Sequence, residues 1–308
     1  MSEQQQEQKT VVITGATGQL GRQCVKAFEN AEWKVIGTGF SRASGSIQKL
    51  DLTDSTAVSA LLSSTRPSVV VHTAAERSPD RCATDQAGTT ALNVDSTSLL
   101  ARLCADMGST LIYISTDYVF PGTPGEAPYS AGSPTAPPNF YGATKLAGEG
   151  AVLDEPGGVV FRVPVLYGEV EVNGESAVNT LLDVVWNAGG KAKVDMDHWS
   201  VRYPTNTADV ARVLVDVAER YARGMESKEE MEQDLPRVLQ FSSEERMTKY
   251  EICQTMADVA GLPLEHVVPN AENDLNAAVQ RPYDCHLSTQ ELKDLGIDVR
   301  TVKFRDWW

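Results

Sequence analysis

Tyr141 and Lys145 stand four residues apart in the run YGATK. On a helix that spacing puts both side chains on one face. An ammonium beside a phenol favours the phenolate, so the lysine would draw the tyrosine's pKa down from about 10 towards working pH. Such a pair can hand a proton to a carbonyl oxygen while a nicotinamide delivers hydride. By itself the spacing is common, and a surface tyrosine beside a surface lysine satisfies it equally well. The companion feature lies far upstream, in GATGQLG, where Gly15, Gly18 and Gly21 are spaced G-x-x-G-x-x-G. The apolar run VVIT at 11–14 precedes it and a helical pattern over 19–30 follows. In that strand–turn–helix context Gly15 permits a tight turn, and Gly18 lets the backbone approach a pyrophosphate on the helix N-terminus. Gly21 lets the helix pack closely on the strand.

Two further stretches extend this chemistry. The second strand pattern, KVIG at 34–37, runs into TGFSR with no acidic residue. An acid there would take a free ribose 2′-hydroxyl, whereas Arg42, helped by Ser41, suits a 2′-phosphate and so NADP over NAD. A solvated surface arginine is the alternative. Asp51 and Leu52 follow; they would flank an adenine, or Asp51 would cap the next helix. The fourth strand pattern, TLIYIS at 110–115, ends in STDYVF at 115–120. A hydroxyl at that carboxyl edge could bond a substrate carbonyl and share a proton network with Tyr141. Thr116 is the first candidate and Ser115 the second; a strand-end hydroxyl that merely caps a loop is the plain alternative.

The elements that must hold these groups alternate between strand and helix. Strand patterns at 11–14, 34–37, 69–72, 110–115 and 159–163 are separated by helical patterns at 19–30, 55–64, within 85–107 and at 141–153. That rhythm predicts a parallel sheet with right-handed crossovers, covered on both faces. The Pro/Gly-rich stretch 121–138 reads as a loop leading into the Tyr141 helix, placed to act as a lid or a substrate rim. Beyond Gly168 the rhythm weakens. Helices are expected over 176–186, 207–223 and 247–260, the last opened by Thr248 as N-cap ahead of Glu251. A late strand is expected at 238–241, and the charged run 226–234 reads as a solvated helix end or loop.

The chain has 308 residues, a net charge of −15 and 42% hydrophobic residues. It is long enough for one large α/β domain with a smaller lobe. The acidic balance argues against nucleic acid or an anionic membrane surface as partner. No apolar run approaches the roughly 18 residues of a membrane span. The polar first nine residues read as a disordered cap on a cytoplasmic protein. The five cysteines are scattered with no C-x-x-C pair, as expected of reduced thiols. His72, His198, His266 and His286 are far apart and read as structural residues, so no metal is expected.

Together GATGQLG, TAA at 73–75, NVD at 93–95, STDYVF and YGATK resemble the extended short-chain dehydrogenase/reductases, and STDYVF resembles their dTDP-4-dehydrorhamnose reductase (RmlD-like) branch. The resemblance implies an α/β fold: a doubly wound parallel-sheet Rossmann domain over 11–167, with 203–236 packing back onto it. A smaller discontinuous C-terminal α/β lobe over 168–202 and 237–308 would hold substrate or partner. It also implies a catalytic triad of Thr116, Tyr141 and Lys145. Longer segments are similar to the regulatory beta subunits of methionine adenosyltransferase within that branch: HTAAER at 72–77, VLYGEVE at 165–171, ESAV at 175–178, MDHW at 196–199, RYPT at 202–205, MTKYE at 247–251 and QRP at 280–282. That likeness implies NADP(H) contacts at Thr17, Gly18, Gln19, Leu20, Phe40, Ser41, Arg42, Asp51, Leu52, Thr73, Arg77, Tyr141, Lys145 and Leu166. It implies a methionine adenosyltransferase catalytic subunit as partner. The sugar reductases usually carry Trp in the strand where this chain has Val after Arg162, and Asp-Gly where it has Pro121-Gly122; a nucleotide-linked 4-keto-6-deoxy sugar is therefore the alternative ligand. In the regulatory family a longer tail docks the catalytic partner, whereas this sequence ends FRDWW at 304–308. The terminal tryptophans would be a short anchor or a plug against their own lobe.

Overall fold

The computed structural model describes residues 8–186, 192–226, 235–274 and 276–308. Most of the expected N-terminal cap, and residues 227–234 of the charged run, lie outside the described residues. The strands are β1 (Thr10–Thr14), β2 (Lys34–Gly39), β3 (Gln48–Lys49), β4 (Val69–His72), β5 (Thr110–Thr116), β6 (Gly158–Val163), β7 (Leu166–Tyr167), β8 (Val194–Asp197), β9 (Thr205–Asn206), β10 (Val238–Gln240) and β11 (Val267–Asn270). The helices are α1 (Gln19–Asn30), α2 (Ser55–Thr65), α3 (Pro79–Thr84), α4 (Gln86–Thr90), α5 (Ser96–Met107), α6 (Phe140–Leu153), α7 (Leu181–Trp186), α8 (Thr207–Glu226), α9 (Lys249–Ala260), α10 (Gln290–Asp294) and α11 (Phe304–Trp307).

Seven strands form one parallel sheet in the order β3-β2-β1-β4-β5-β6-β10. Alternation along each strand sends side chains to opposite faces, and both faces are buried. Val11, Ile13, Val69, Val71, Ile112 and Phe161 meet the layer of α1 and α8. Val12, Val70, Leu111, Tyr113 and Val160 meet the layer of α2, α5 and α6. The strand order reverses between β1 and β4. That reversal opens the crevice at the carboxyl ends of the strands where such sheets take ligands.

A second body follows β7. Two parallel pairs, β7 with β9 and β8 with β11, join α7, α9 and α11 around Tyr167, Val178, Val185, Ile252, Met256 and Phe304. Trp307 and Trp308 pack against this core, with the Trp307 ring 5.3 Å from Tyr167 and 4.8 Å from Trp308. They act as a plug on their own lobe. Two segments expected in the lobe join the main body instead: β10 is an edge strand beside β6, and Leu292 of α10 packs in the α1–α8 layer. The helix expected from 176 begins only at Leu181. Ser176 stops it, because its hydroxyl accepts from the backbone N–H groups of Val178 and Asn179 and offers a turn instead. Thr248 caps α9 as expected and forms a reciprocal box with Glu251.

One buried polar cluster clamps α6 to the sheet. Arg162 of β6 grips Glu149 of α6 with Nε to Oε1 at 2.9 Å and Nη2 to Oε2 at 2.7 Å. Ser115 donates to the same carboxylate at 2.5 Å. Arg162 Nη1 donates to the Ala131 carbonyl and to Gln240 Oε1. Gln240 in turn donates to the Tyr129 carbonyl, so the loop 121–138 is pinned from beneath. Stripping one partner from such a pair leaves an uncompensated buried charge. Arg162→Met should therefore cost about 3–5 kcal/mol in urea unfolding, and the double variant with Glu149→Leu should recover part of that loss. Purely additive losses would show that the two charges do not act as a pair.

Candidate active site

The glycine turn sits where β1 and β4 diverge. Gly15 has φ +69, and a Cβ there would lie 2.8 Å from the Ala74 nitrogen. A Cβ at Gly21 would lie 2.2 Å from the Gly15 carbonyl oxygen, so α1 can start only this close because Gly21 has none. Gly18 caps α1 with no side-chain hydrogen bond and no acid in the first turn. Its missing Cβ would meet only the Gly15 oxygen, at 3.2 Å. The Gln19 Nε2 is buried without a protein partner. An uncapped helix start with an orphaned amide donor suits an anion such as a pyrophosphate. Thr73 donates to the Thr14 carbonyl at 2.7 Å and closes the floor between β1 and β4.

The remaining nucleotide-side residues are dispersed around this turn. Phe40 and Ser41 follow β2 and are exposed, Phe40 at 59%. Leu52 is buried and Leu166 is half-buried. Asp51 does not cap α2; Asp54 does, accepting from the N–H groups of Thr56 and Ala57. Asp51 instead accepts from the Thr53 hydroxyl and N–H, and these hold its carboxyl below the usual range. Arg42 is not a free surface cation. Its guanidinium meets Glu171 and Glu175 and donates to the Thr17 carbonyl at 2.9 Å. Arg77 donates to the Glu175 carbonyl at 2.5 Å.

Tyr141 and Lys145 share the inner face of α6, as their spacing predicts. Asn139 caps that helix through Gly142 N–H at 3.0 Å and ties it to the lobe through the Gln280 carbonyl. Of the two candidate hydroxyls, Ser115 is spent on Glu149. Thr116 meets the Tyr141 hydroxyl, donates to Asp117 Oδ1 at 3.0 Å and accepts from Tyr118 N–H. The expected depression of the tyrosine's pKa does not occur. Burial pushes the Tyr141 phenol up, and the neighbouring Asp117, Cys82 and Tyr118 add to the rise against the Thr116 hydrogen bond. Burial likewise pushes the Lys145 ammonium from 10.5 down to about 7, with Glu149 opposing. The Lys145 Nζ rests 4.0 Å from the centre of the Tyr113 ring. Desolvation thus sets the direction of both shifts.

Residues to which the motifs assigned no part in the site hold this arrangement. Asn93 lies in a π-turn at Ala91–Asp95 between α4 and α5, a local distortion often found beside functional sites. Its amide accepts from Glu76 N–H at 2.8 Å and donates to the Glu76 carbonyl and to Thr144. His72 is structural. Thr97 donates to the Asn93 carbonyl, so it accepts from His72 Nε2–H, and Nδ1 then accepts from Thr14 at 2.6 Å. Burial, with the Lys145 charge, lowers the His72 pKa to about 3. On the substrate side, burial lifts Asp117 to about 7 against the pull of Arg202. Arg202 is itself buried, 6% exposed, and its Nη2 has no hydrogen-bond partner. It is remote in sequence from Thr116, Tyr141 and Lys145, so only the fold brings it beside Asp117. All five cysteines are buried and unpaired. Among the described residues no group of three or more His, Cys, Asp or Glu could hold a metal, and no helix is long and apolar enough to cross a membrane.

The profile of the RmlD substrate binding domain matches residues 9–306. The chain is 42% identical over 294 residues to methionine adenosyltransferase 2 subunit beta of Rattus norvegicus, covering 95% of this chain and 84% of that protein. It is 37% identical over 208 residues to a probable dTDP-4,6-dihydroxy-2-methyloxan-3-one 4-ketoreductase of Streptomyces antibioticus, covering 67% of this chain and 66% of the other. In fold it matches dTDP-4-dehydrorhamnose reductase of Bacillus anthracis in complex with NADP, with a TM-score of 0.81 at 23% identity over 97% of this chain and 96% of that one.

The lowered Lys145 pKa has a testable sign. Between pH 7 and 10.5 the unfolded chain binds this proton and the folded chain does not, so the lysine's contribution makes stability rise with pH across that window. Lys145→Met removes the contribution. Its stability relative to wild type should be greatest near pH 6 and should fall as pH approaches 10. A difference that stays flat over that range would mean Lys145 keeps an ordinary pKa in the fold.

Proposed function

The chain belongs to the RmlD substrate binding domain family, and from that membership we propose that it is an NADP-binding regulatory subunit of methionine adenosyltransferase, modulating S-adenosylmethionine synthesis. The observation that carries this reading is its 42% identity to a subunit beta along 95% of its length. Tyr141 and Lys145 also offer hydrogen-bond donors that suit a ribose or nicotinamide. Tyr141 and Lys145 would then serve as a clamp. Thr17, Gly18, Gln19 and Leu20 would take the pyrophosphate on the start of α1. Phe40, Ser41 and Arg42, with Asp51 and Leu52, would border the adenosine half. Thr73, Arg77 and Leu166 would line the middle of the crevice. The bound group supplies a hydride donor where a carbonyl is offered to it.

A second reading has its own observation. Thr116 meets the Tyr141 hydroxyl, with Lys145 one turn further along α6, which supports a carbonyl-reductase reading. In that case the chain is an NADPH-dependent reductase of a nucleotide-linked 4-keto-6-deoxy sugar, like its Streptomyces relative in class. Thr116 would hold the substrate carbonyl, Tyr141 would donate the proton, and Lys145 would orient the ribose.

Two measurements separate these readings. Incubation with NADPH and a dTDP-4-keto-6-deoxy sugar should give no loss of nicotinamide absorbance, while gel filtration with a methionine adenosyltransferase catalytic subunit should give a joint peak. Turnover that disappears in Tyr141→Phe would overturn the regulatory reading. For the cofactor, Arg42→Ala should weaken NADP by about tenfold or more and NAD hardly at all, as expected from losing charge-assisted bonds to a 2′-phosphate. Equal losses for both dinucleotides would remove Arg42 from that role.

A further inference from the structure

The segment between Gly168 and Ser176 leaves β7, crosses to the nucleotide side and lays three carboxylates on it. Glu169 meets Lys26 of α1 at 2.5 Å and accepts from Gln23 at 3.0 Å. Glu171 stands 3.1 Å from Arg42 Nη1 and 3.9 Å from Arg22 Nη1. Glu175 accepts from Arg22 Nη2 at 2.6 Å, from Arg42 Nη1 and from Glu171 N–H at 3.1 Å. Burial favours its neutral form, but the bonds from Arg22, Arg42 and Glu171 N–H outweigh that and hold its carboxyl down at about 2. Arg22 and Arg42 also donate to one carbonyl, that of Thr17, at 2.6 and 2.9 Å. Two guanidinium groups, one from the helix after the last glycine and one from beyond β2, therefore close on a single point beside the glycine turn.

We propose that Arg22 joins Arg42 in a two-arginine seat for the 2′-phosphate of NADP, and that Glu171 and Glu175 are its intramolecular carboxylate occupants, exchanged for the phosphate on binding. The proposal rests on the NADP reading above and adds Arg22, Glu171 and Glu175 to it. Two adjacent guanidiniums repel each other unless an anion lies between them. The two carboxylates carry together about the charge of one phosphate group at neutral pH. Carboxylate and phosphate oxygens also offer the same acceptor geometry to a guanidinium fork. A free 2′-hydroxyl has no charge with which to displace them. The two arginines thus favour NADP over NAD, the carboxylates temper that preference by competing with the phosphate, and the exchange frees the strap at 169–175 from α1 when the phosphate arrives.

The test uses the full chain and two adenosine probes that differ only in the phosphate: 2′,5′-ADP and 5′-AMP. By calorimetry, Arg22→Gln should weaken 2′,5′-ADP by about tenfold, the scale of one charge-assisted hydrogen bond, and leave 5′-AMP unchanged. The double variant Glu171→Gln/Glu175→Gln should bind 2′,5′-ADP about tenfold more tightly, with 5′-AMP again unchanged. Amide exchange in peptides covering 169–176 of the wild-type chain should rise on NADP addition. Unchanged 2′,5′-ADP affinity in Arg22→Gln, or exchange that falls on NADP addition, would overturn the proposal while NADP binding itself still stands. A loss of 5′-AMP or NAD affinity in the double variant would assign the carboxylates to the ribose hydroxyls instead and also overturn it. If the wild type and the double variant both fail to bind NADP, the NADP reading fails first. Should the double variant not fold, the Arg22 and exchange measurements decide.

Discussion

The buried pairing of Arg162 with Glu149 is the constraint on which the rest of the site depends. Two charges are desolvated together between β6 and α6, and Ser115, Ala131 and Gln240 supply further hydrogen bonds to them. The arrangement fixes the rotation and the axial position of α6 on the sheet. Lys145 precedes Glu149 by one turn, so its place over the Tyr113 ring follows from that register. The helix can sit so low because Gly148 faces Tyr113: a Cβ there would lie 2.3 Å from the tyrosine hydroxyl. Gly142 does the same against the Tyr118 carbonyl, at 2.2 Å. Catalytic-type side chains are thus brought to the strand ends by polar clamping below and by absent side chains alongside.

Much of this was legible in residue order, because the signals are local. Apolar runs bounded by turns gave the central strands, and the glycine spacing with its flanking strand and helix located the crevice. The preference for Thr116 over Ser115 gains its physical reason in three dimensions, where neighbouring positions on a strand point to opposite faces and Ser115 is spent on Glu149. Strands of two residues, such as β3, β7 and β9, are too short to carry a period and escaped notice. The electrostatic sense of the Tyr141–Lys145 pair also escaped, for a general reason. Spacing reports who is near, whereas burial decides which protonation state survives.

The least legible residues are those whose partners are remote in the chain. Arg22 and Glu175 are separated by 153 positions, and Arg162 and Gln240 by 78. Neither member of such a pair has any local pattern that marks it. Glu169, Glu171 and Glu175 look like ordinary surface acids until the crossing from β7 is known. Arg202 looks like one more surface cation, yet it is buried beside Asp117 and Tyr118, its Nη2 3.9 Å from Asp197 and without a hydrogen-bond partner. Residues around the crevice are therefore split between motifs that announce themselves and long-range contacts that do not.

His72 has a consequence of a different kind. It bridges β1 and α5 at the point where the strand order turns, with one nitrogen accepting from Thr14 and the other donating to Thr97. A second proton would have no acceptor, because Thr14 would have to give up its own bond. The joint is proton-tight: across the whole physiological range it stays neutral and keeps its shape. The floor of the crevice is in that sense electrically silent. The groups there whose pKa values lie near 7 are Lys145 and Asp117, and the imidazole that feels the Lys145 charge takes no part in a pH response.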